Sequence, residues 1–322
     1  MVWLAVLLVS ILLVSVFLGR YPGPVWMTPG RLASDELAQR LVFNLRLPRL
    51  LTAMLLGMSL AAAGVVFQTI FGNPLVEPGF LGVSQGAAFG AAFSIIFLSR
   101  SPWAVQIMAA LFALLGLGLS YFMARRVRYG GWTLRLVLAG IAISALFSAG
   151  LGVLKYIADP LSQLPEITFW LLGGLWSMTW SQFLAILPAV TIGLFVAYRM
   201  RWRVNLLSLS DETAFSLGAA PGRERAVVLT AAVIATAAVI SVSGIIAWVG
   251  LIIPQVARLL FGADARFVIP ASMLVGASFT VLCDDLARVL MPGEIPLGIL
   301  TSLIGATVFL VLMMRQGTGG ER

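Results

Sequence analysis

The sequence predicts an all-α, polytopic membrane protein with about ten transmembrane helices. Three observations carry that expectation. Of the 322 residues, 60% are hydrophobic and 11% charged, against roughly 25% charged in soluble domains. Apolar runs of spanning or near-spanning length recur along the whole chain. Short arginine-rich connections separate several of them, the pattern by which charge orients membrane segments. The formal net charge of +8 is therefore not read as a nucleic-acid footprint.

The residue inventory excludes most enzymes. There is no histidine, a single lysine, Lys155, and a single cysteine, Cys283. A phosphate-binding loop of the form G-x-x-x-x-G-K-[ST] needs a lysine in a glycine-rich turn, and Lys155 stands in GVLKY. Zinc sites built from His and Cys and histidine-dependent triads are equally absent. Neither cofactor nor metal is expected. If the protein uses ATP, another chain hydrolyses it.

Taken in order, residues 2–19 form the first apolar run. No Lys or Arg precedes it, and SVFLG is a poor cleavage site, so it reads as a retained helix and not a signal peptide. A polar stretch with YPGP and the amphipathic piece ASDELAQRLVFNLR follows. The second span covers 48–70 and the third 83–98, with Gly82, Gly86 and Gly90 four apart on one face, where backbones can approach closely. Spans four and five are 103–124 and 136–158, joined by the basic loop RRVRYGGWTLR. The segment DPLSQLPEITFWLLGGLW holds a helix too short to cross. The sixth span is 181–198, the seventh 226–246, and the eighth, 248–261, is short and contains Pro254. Spans nine and ten are 269–290 and 295–314, and RQGTGGER is a polar tail. Ten spans place both termini on one side. With that side cytoplasmic, thirteen of the 21 Lys and Arg residues lie inside, and five of the others crowd between Arg20 and Arg49. The whole chain, 1–322, reads as one membrane domain.

Residues 205–225, NLLSLSDETAFSLGAAPGRER, interrupt the apolar sequence and read as two short helices. Ser210 suits an N-cap, with Asp211 and Glu212 in the first turn, where the positive helix end favours them. Gly218 is a natural stop and Pro221 a natural first residue for the next helix.

At this point the motifs resemble a known family. The run RLPRLLTAMLLGMSLAAAGVVFQTIFGNPLVEPGFLGVSQGAAFGA, then LAGIAIS, WLLGGLW, LSDETAFSLGA, SGIIAWVGLIIPQVARLLFGAD, DDLAR and GEIPLGILTSLIGA are similar to FecCD-type permeases. These are the membrane subunits of type II ATP-binding-cassette importers for iron-siderophores, vitamin B12 and haem. The likeness covers nearly the whole chain in the right order. It implies a vitamin B12 importer permease-like bundle in the inner membrane, paired with a second permease in a homodimer. It also implies two cytoplasmic ATPase subunits beneath and an extracytoplasmic substrate-binding protein above.

The resemblance further assigns roles. Arg46, Arg49 and Arg288 match arginines that meet glutamates of the binding protein, although Arg288 could instead pair with Asp284 or Asp285 one turn away. Asn73 and Leu75 match a cytoplasmic gate, although Asn73 before Pro74 also suits a plain turn. Gly140, Ser144 and Ser148 share a face of a helix that lines the pathway in relatives, a face that packing could equally use. The loop holding Asp211, Glu212, Ala214, Gly218 and Pro221 loosely resembles the coupling loop that an ATPase subunit grips. Where many relatives have a histidine, this chain has Gln255. The implied cargo is a metal chelate, most often a ferric siderophore in this family, with haem, cobalamin and molybdate used by relatives. The rival reading is an ion-coupled secondary transporter, which intramembrane carboxylates would suit; here the acidic residues fall mostly in loops.

Overall fold

The computed structural model describes residues 1–20, 25–291 and 293–317. The YPGP stretch, Pro292 and the end of the polar tail with Arg322 lie outside the described residues. The helices are α1 Val2–Phe17, α2 Pro29–Ser34, α3 Glu36–Leu41, α4 Leu47–Phe71, α5 Val83–Phe93, α6 Pro102–Arg126, α7 Trp132–Ile157 and α8 Gln163–Leu172. They continue with α9 Trp180–Arg199, α10 Arg201–Leu207, α11 Asp211–Ser216, α12 Pro221–Ser243, α13 Val249–Phe261, α14 Ala265–Val289 and α15 Leu297–Gly317. Among the described residues, seven helical runs are long and apolar enough to cross a membrane, and α1, α13 and the run from Val83 to Leu98 are shorter apolar helices. Together they are the ten expected spans.

Two boundaries differ from the sequence reading. The amphipathic piece and the second span are one continuous run, Glu36–Phe71. Asp35 caps it, accepting from the Leu37 and Ala38 amides. Pro48 does not break it, because the wide π turn Val42–Arg46 just before relieves the hydrogen bond that a proline cannot donate. The second helix of the polar loop is not short either. Pro221 opens the 23-residue α12, which is itself the seventh span.

Lipid tails are as apolar as leucine, so helices here associate through close packing. At the centre α4 lies antiparallel to α14. A Cβ on Gly57 would sit 2.1 Å from the Gly276 carbonyl oxygen, and Thr280 donates to the Ala53 carbonyl at 2.7 Å. Gly86 and Gly90 bring α5 onto the Phe112 and Met108 carbonyls of α6 as their spacing suggests. Phe67, Leu56 and Leu50 of α4 are fully buried with Leu229 and Ile240 of α12. Outer faces stay apolar: Leu146 and Val153 of α7 are exposed.

The segment between α4 and α5 positions the site. Gly72 closes α4 in the left-handed region, with φ +59. The chain then runs back along α4 and forms a 3-10 turn at Pro78–Leu81. Pro78 reaches Gly250, which lies against Leu60 in the middle of α4. A non-helical strip therefore re-enters the bundle.

Candidate functional site

Four groupings lie along the bundle axis. At one end stands the polar loop. Ser210 caps α11, its hydroxyl accepting from the Thr213 amide at 3.3 Å, and Gly218 leaves the helix at φ +78. Arg225, 5% exposed, donates to the Leu207 carbonyl at 2.9 Å and the Leu209 carbonyl at 3.2 Å, and pairs with Asp211 at 2.5 Å. Arg203 donates to the Gly218 carbonyl at 3.0 Å. Asn205 donates to Asp264 at 2.7 Å, fastening α10 to the start of α14. A side-chain hydrogen bond from Arg266, joined by the Asn205 amide, holds the Asp264 carboxyl well below the usual carboxylate range. The loop is thus braced on two helices. Glu212 faces solvent, whereas Ala214 is fully buried and packs inward, so it cannot itself touch a partner. Phe215 and Leu217 are exposed, 73% and 56%. Sequence reasoning passed over both, though apolar residues inside an otherwise polar loop were the available signal.

Just inside that end, Asn73 builds a turn: its side-chain oxygen accepts from the Leu75 amide at 2.9 Å. Both Asn73 and Leu75 are exposed. The strip is tied from behind. Gln255 donates to the Pro74 carbonyl at 3.1 Å and to Gln68 at 3.3 Å. Gln68 donates in turn to the Leu251 carbonyl at 3.0 Å and accepts from Arg258 at 2.5 Å. Gln68 and Arg258 are further residues that the sequence alone did not single out.

At mid-depth the strip, α4, α5, α7, α12 and α13 line a half-open cavity of about 350 Å³. Of the three α7 candidates, Ser144 lines it. Gly140 does not; a Cβ there would meet the Phe80 carbonyl at 2.6 Å, so this glycine serves packing. Ser148 is exposed and does not line the cavity.

At the opposite end, Arg46, Arg49, Arg288 and Glu294 line one recess of about 300 Å³. Behind it, charges are matched. Arg49 pairs with Asp284 at 2.8 Å and Glu294 at 2.8 Å. Arg288 pairs with Asp284 at 3.2 Å and also with Asp285. Ser15 donates to Asp285, and Arg46 donates to the Val16 carbonyl at 2.9 Å. Three guanidinium groups thus gather with three carboxylates, all but Glu294 buried. The alternative pairing of Arg288 with both aspartates is what the structure contains. Ser15 and Glu294 join the cluster from segments that sequence reasoning left out of it. Intramembrane Asp284 and Asp285 are neutralised within the chain, which weakens the ion-coupled reading.

The profile of the FecCD transport family matches residues 6–315. The chain is 38% identical to the molybdate import system permease protein MolB of Haemophilus influenzae, over 98% of this chain and 96% of that protein. It is 38% identical to the hemin transport system permease protein HmuU of Yersinia pestis, over 85% and 83% of the two chains. A solved structure presented as an inward-facing conformation of a metal-chelate type ABC transporter superposes with a TM-score of 0.89 at 38% identity, covering 97% of each chain. Matched over nearly its full length in sequence and in fold, this chain belongs to the FecCD transport family.

Proposed function

We infer that this chain is the membrane-spanning permease subunit of an ATP-binding-cassette importer that moves a metal chelate into the cell by alternating access. It is a transport component, and ATP hydrolysis belongs to a separate chain. The supporting observation is the braced loop. Arg225 ties Asp211 of α11 and Leu207 of α10 to α12, and Asn205 ties α10 to the start of α14, so a push on the loop reaches two spans. Phe215 and Leu217 project from it as an apolar knob, the usual anchor for a protein partner. The loop's end of the bundle is cytoplasmic in this reading. The arginines of the α6–α7 and α9–α10 connections lie there, as does the start of α1, where Trp3 stacks on Phe261. Both termini are then cytoplasmic, and the chain sits in the inner membrane as one domain.

Two copies form the permease pair, with the exposed apolar faces of α7 and α15 available for it. Two ATPase subunits dock below. The recess bearing Arg46, Arg49 and Arg288 receives acidic groups of a substrate-binding protein above. Charge complementarity of this kind sets register and speeds encounter. Arg49 can release Glu294, whose side chain is 39% exposed, to take a partner carboxylate in its place. Asn73 and Leu75 close the cytoplasmic exit. The cargo is a ferric siderophore or a chelate of similar size.

Cysteine crosslinking tests the loop. Cys283 is buried and silent, so Phe215→Cys supplies a single reactive thiol. Crosslinks to the ATPase subunit that change in yield with nucleotide are expected. A thiol that stays free in the assembled complex would remove the coupling role.

A further inference from the structure

The mid-depth cavity contains a group that the transport reading does not use. Glu77 lies on the re-entrant strip, one residue before Pro78, and lines the cavity. It is the one ionisable side chain among the lining residues. Its carboxylate makes no hydrogen bond or ion pair with any described residue, in contrast with Asp284, Asp285 and Glu294.

The surrounding polar groups are equally unspent. Ser84 and Gln85 at the start of α5, and Ser144 of α7, line the same space and make no side-chain hydrogen bond to a described residue. The rest of the wall is apolar, with Phe80 and Ile240. Glu77, Ser84, Gln85 and Ser144 are half-buried, and four such groups converging unpartnered on one cavity form a polar face set in an apolar wall, as binding sites are built.

The sign of the charge narrows the ligand. A carboxylate accepts from amide, hydroxyl or ammonium donors. It repels an anion, and does so more strongly where water is scarce. We propose that this cavity is a cargo station within the pathway, and that Glu77 selects there for a neutral or cationic chelate bearing hydrogen-bond donors and against small oxyanions. The proposal rests on the importer reading above and specifies its cargo class.

The test uses the full complex, permease with ATPase and binding protein, in proteoliposomes. The probes are a radiolabelled ferric trihydroxamate, haemin, cobalamin and molybdate. Uptake is compared for the wild type, Glu77→Gln and Glu77→Asp, with complex assembly and ATP hydrolysis measured on the same samples. The expected result is chelate uptake by the wild type and about a tenfold loss in Glu77→Gln, the size of one lost charge-assisted hydrogen bond. Glu77→Asp, which keeps the charge, retains more uptake, and assembly and ATP hydrolysis are unchanged in both. Wild-type uptake of molybdate but of no chelate would overturn the role of Glu77 while leaving the importer reading intact. So would equal chelate uptake by all three proteins, or an assembly defect that tracks the uptake loss. No ATP-driven uptake of any probe would overturn both.

Discussion

Replacing Arg49 by methionine would remove a guanidinium that two carboxylates share. Its side chain is 10% exposed and that of Asp284 is fully buried. Breaking a buried pair by deleting one partner costs about 3–5 kcal/mol, because the remaining charge is stranded. Asp284 keeps a second cation, Arg288 at 3.2 Å, which places the expected loss near the lower bound, about 3 kcal/mol. Glu294 is partly exposed and recovers water, so it adds little. Equilibrium unfolding in mixed detergent micelles reads the loss directly. The double variant Arg49→Met with Asp284→Asn removes the stranded charge and should recover more than about 1 kcal/mol of it. A loss below about 1 kcal/mol in the single variant, the range of surface pairs, would refute the buried-cluster reasoning. This experiment also bears on docking, because Arg49→Glu would disrupt the fold as well as any partner contact. The cleaner docking variant is Glu294→Gln. It releases one bond to Arg49 without stranding a buried charge, and should strengthen association with an acidic binding-protein surface most at low salt. Unchanged affinity at low salt would end the docking role of Arg49.

Three further outcomes are expected. Gly218→Val forces a β-branched residue to φ +78, where a Cβ meets nothing within 4 Å, so the strain of about 1–2 kcal/mol stays in the loop backbone. Transport per ATP hydrolysed should fall while the bundle still assembles, and normal coupling would mean that the loop does not transmit the push. Gln255→Leu cuts the strip from α13 at Pro74 and weakens closure by about 1 kcal/mol; solute leak through empty proteoliposomes should rise, and an unchanged leak would show that this tie does not hold the exit shut. Gly57→Ala drives a Cβ into the Gly276 carbonyl, whereas Gly152→Ala meets nothing within 4 Å. The first should lower the unfolding midpoint sharply and the second leave it level or raise it slightly, and a similar effect from both would contradict the α4–α14 packing.

Local features of the site were legible in the sequence and long-range ones were not. The Ser210 cap, the Gly218 stop and the Pro221 start each depend on residues within a few positions, and the chain follows them. The length of α12 is not legible in the sequence, because Arg223, Glu224 and Arg225 read as loop. Arg225 is polar by type yet buried, its charge spent on backbone carbonyls and Asp211. Gly140, Ser144 and Ser148 share a helical face by spacing, but spacing cannot say which turn meets a cavity and which meets the Phe80 carbonyl. The charge cluster lay furthest from view. Arg49 and Asp284 are 235 residues apart, and only the antiparallel packing of α4 on α14 brings them together. Glu77 sat in plain sight between two prolines, yet its meaning needed the strip's return to mid-depth.

The most direct test of the account is ATP-driven uptake of a ferric trihydroxamate into proteoliposomes carrying this chain with its ATPase subunit and binding protein. Uptake that requires ATP, the ATPase subunit and the binding protein together is the predicted result. Uptake that persists without the ATPase subunit and follows an imposed ion gradient would contradict it.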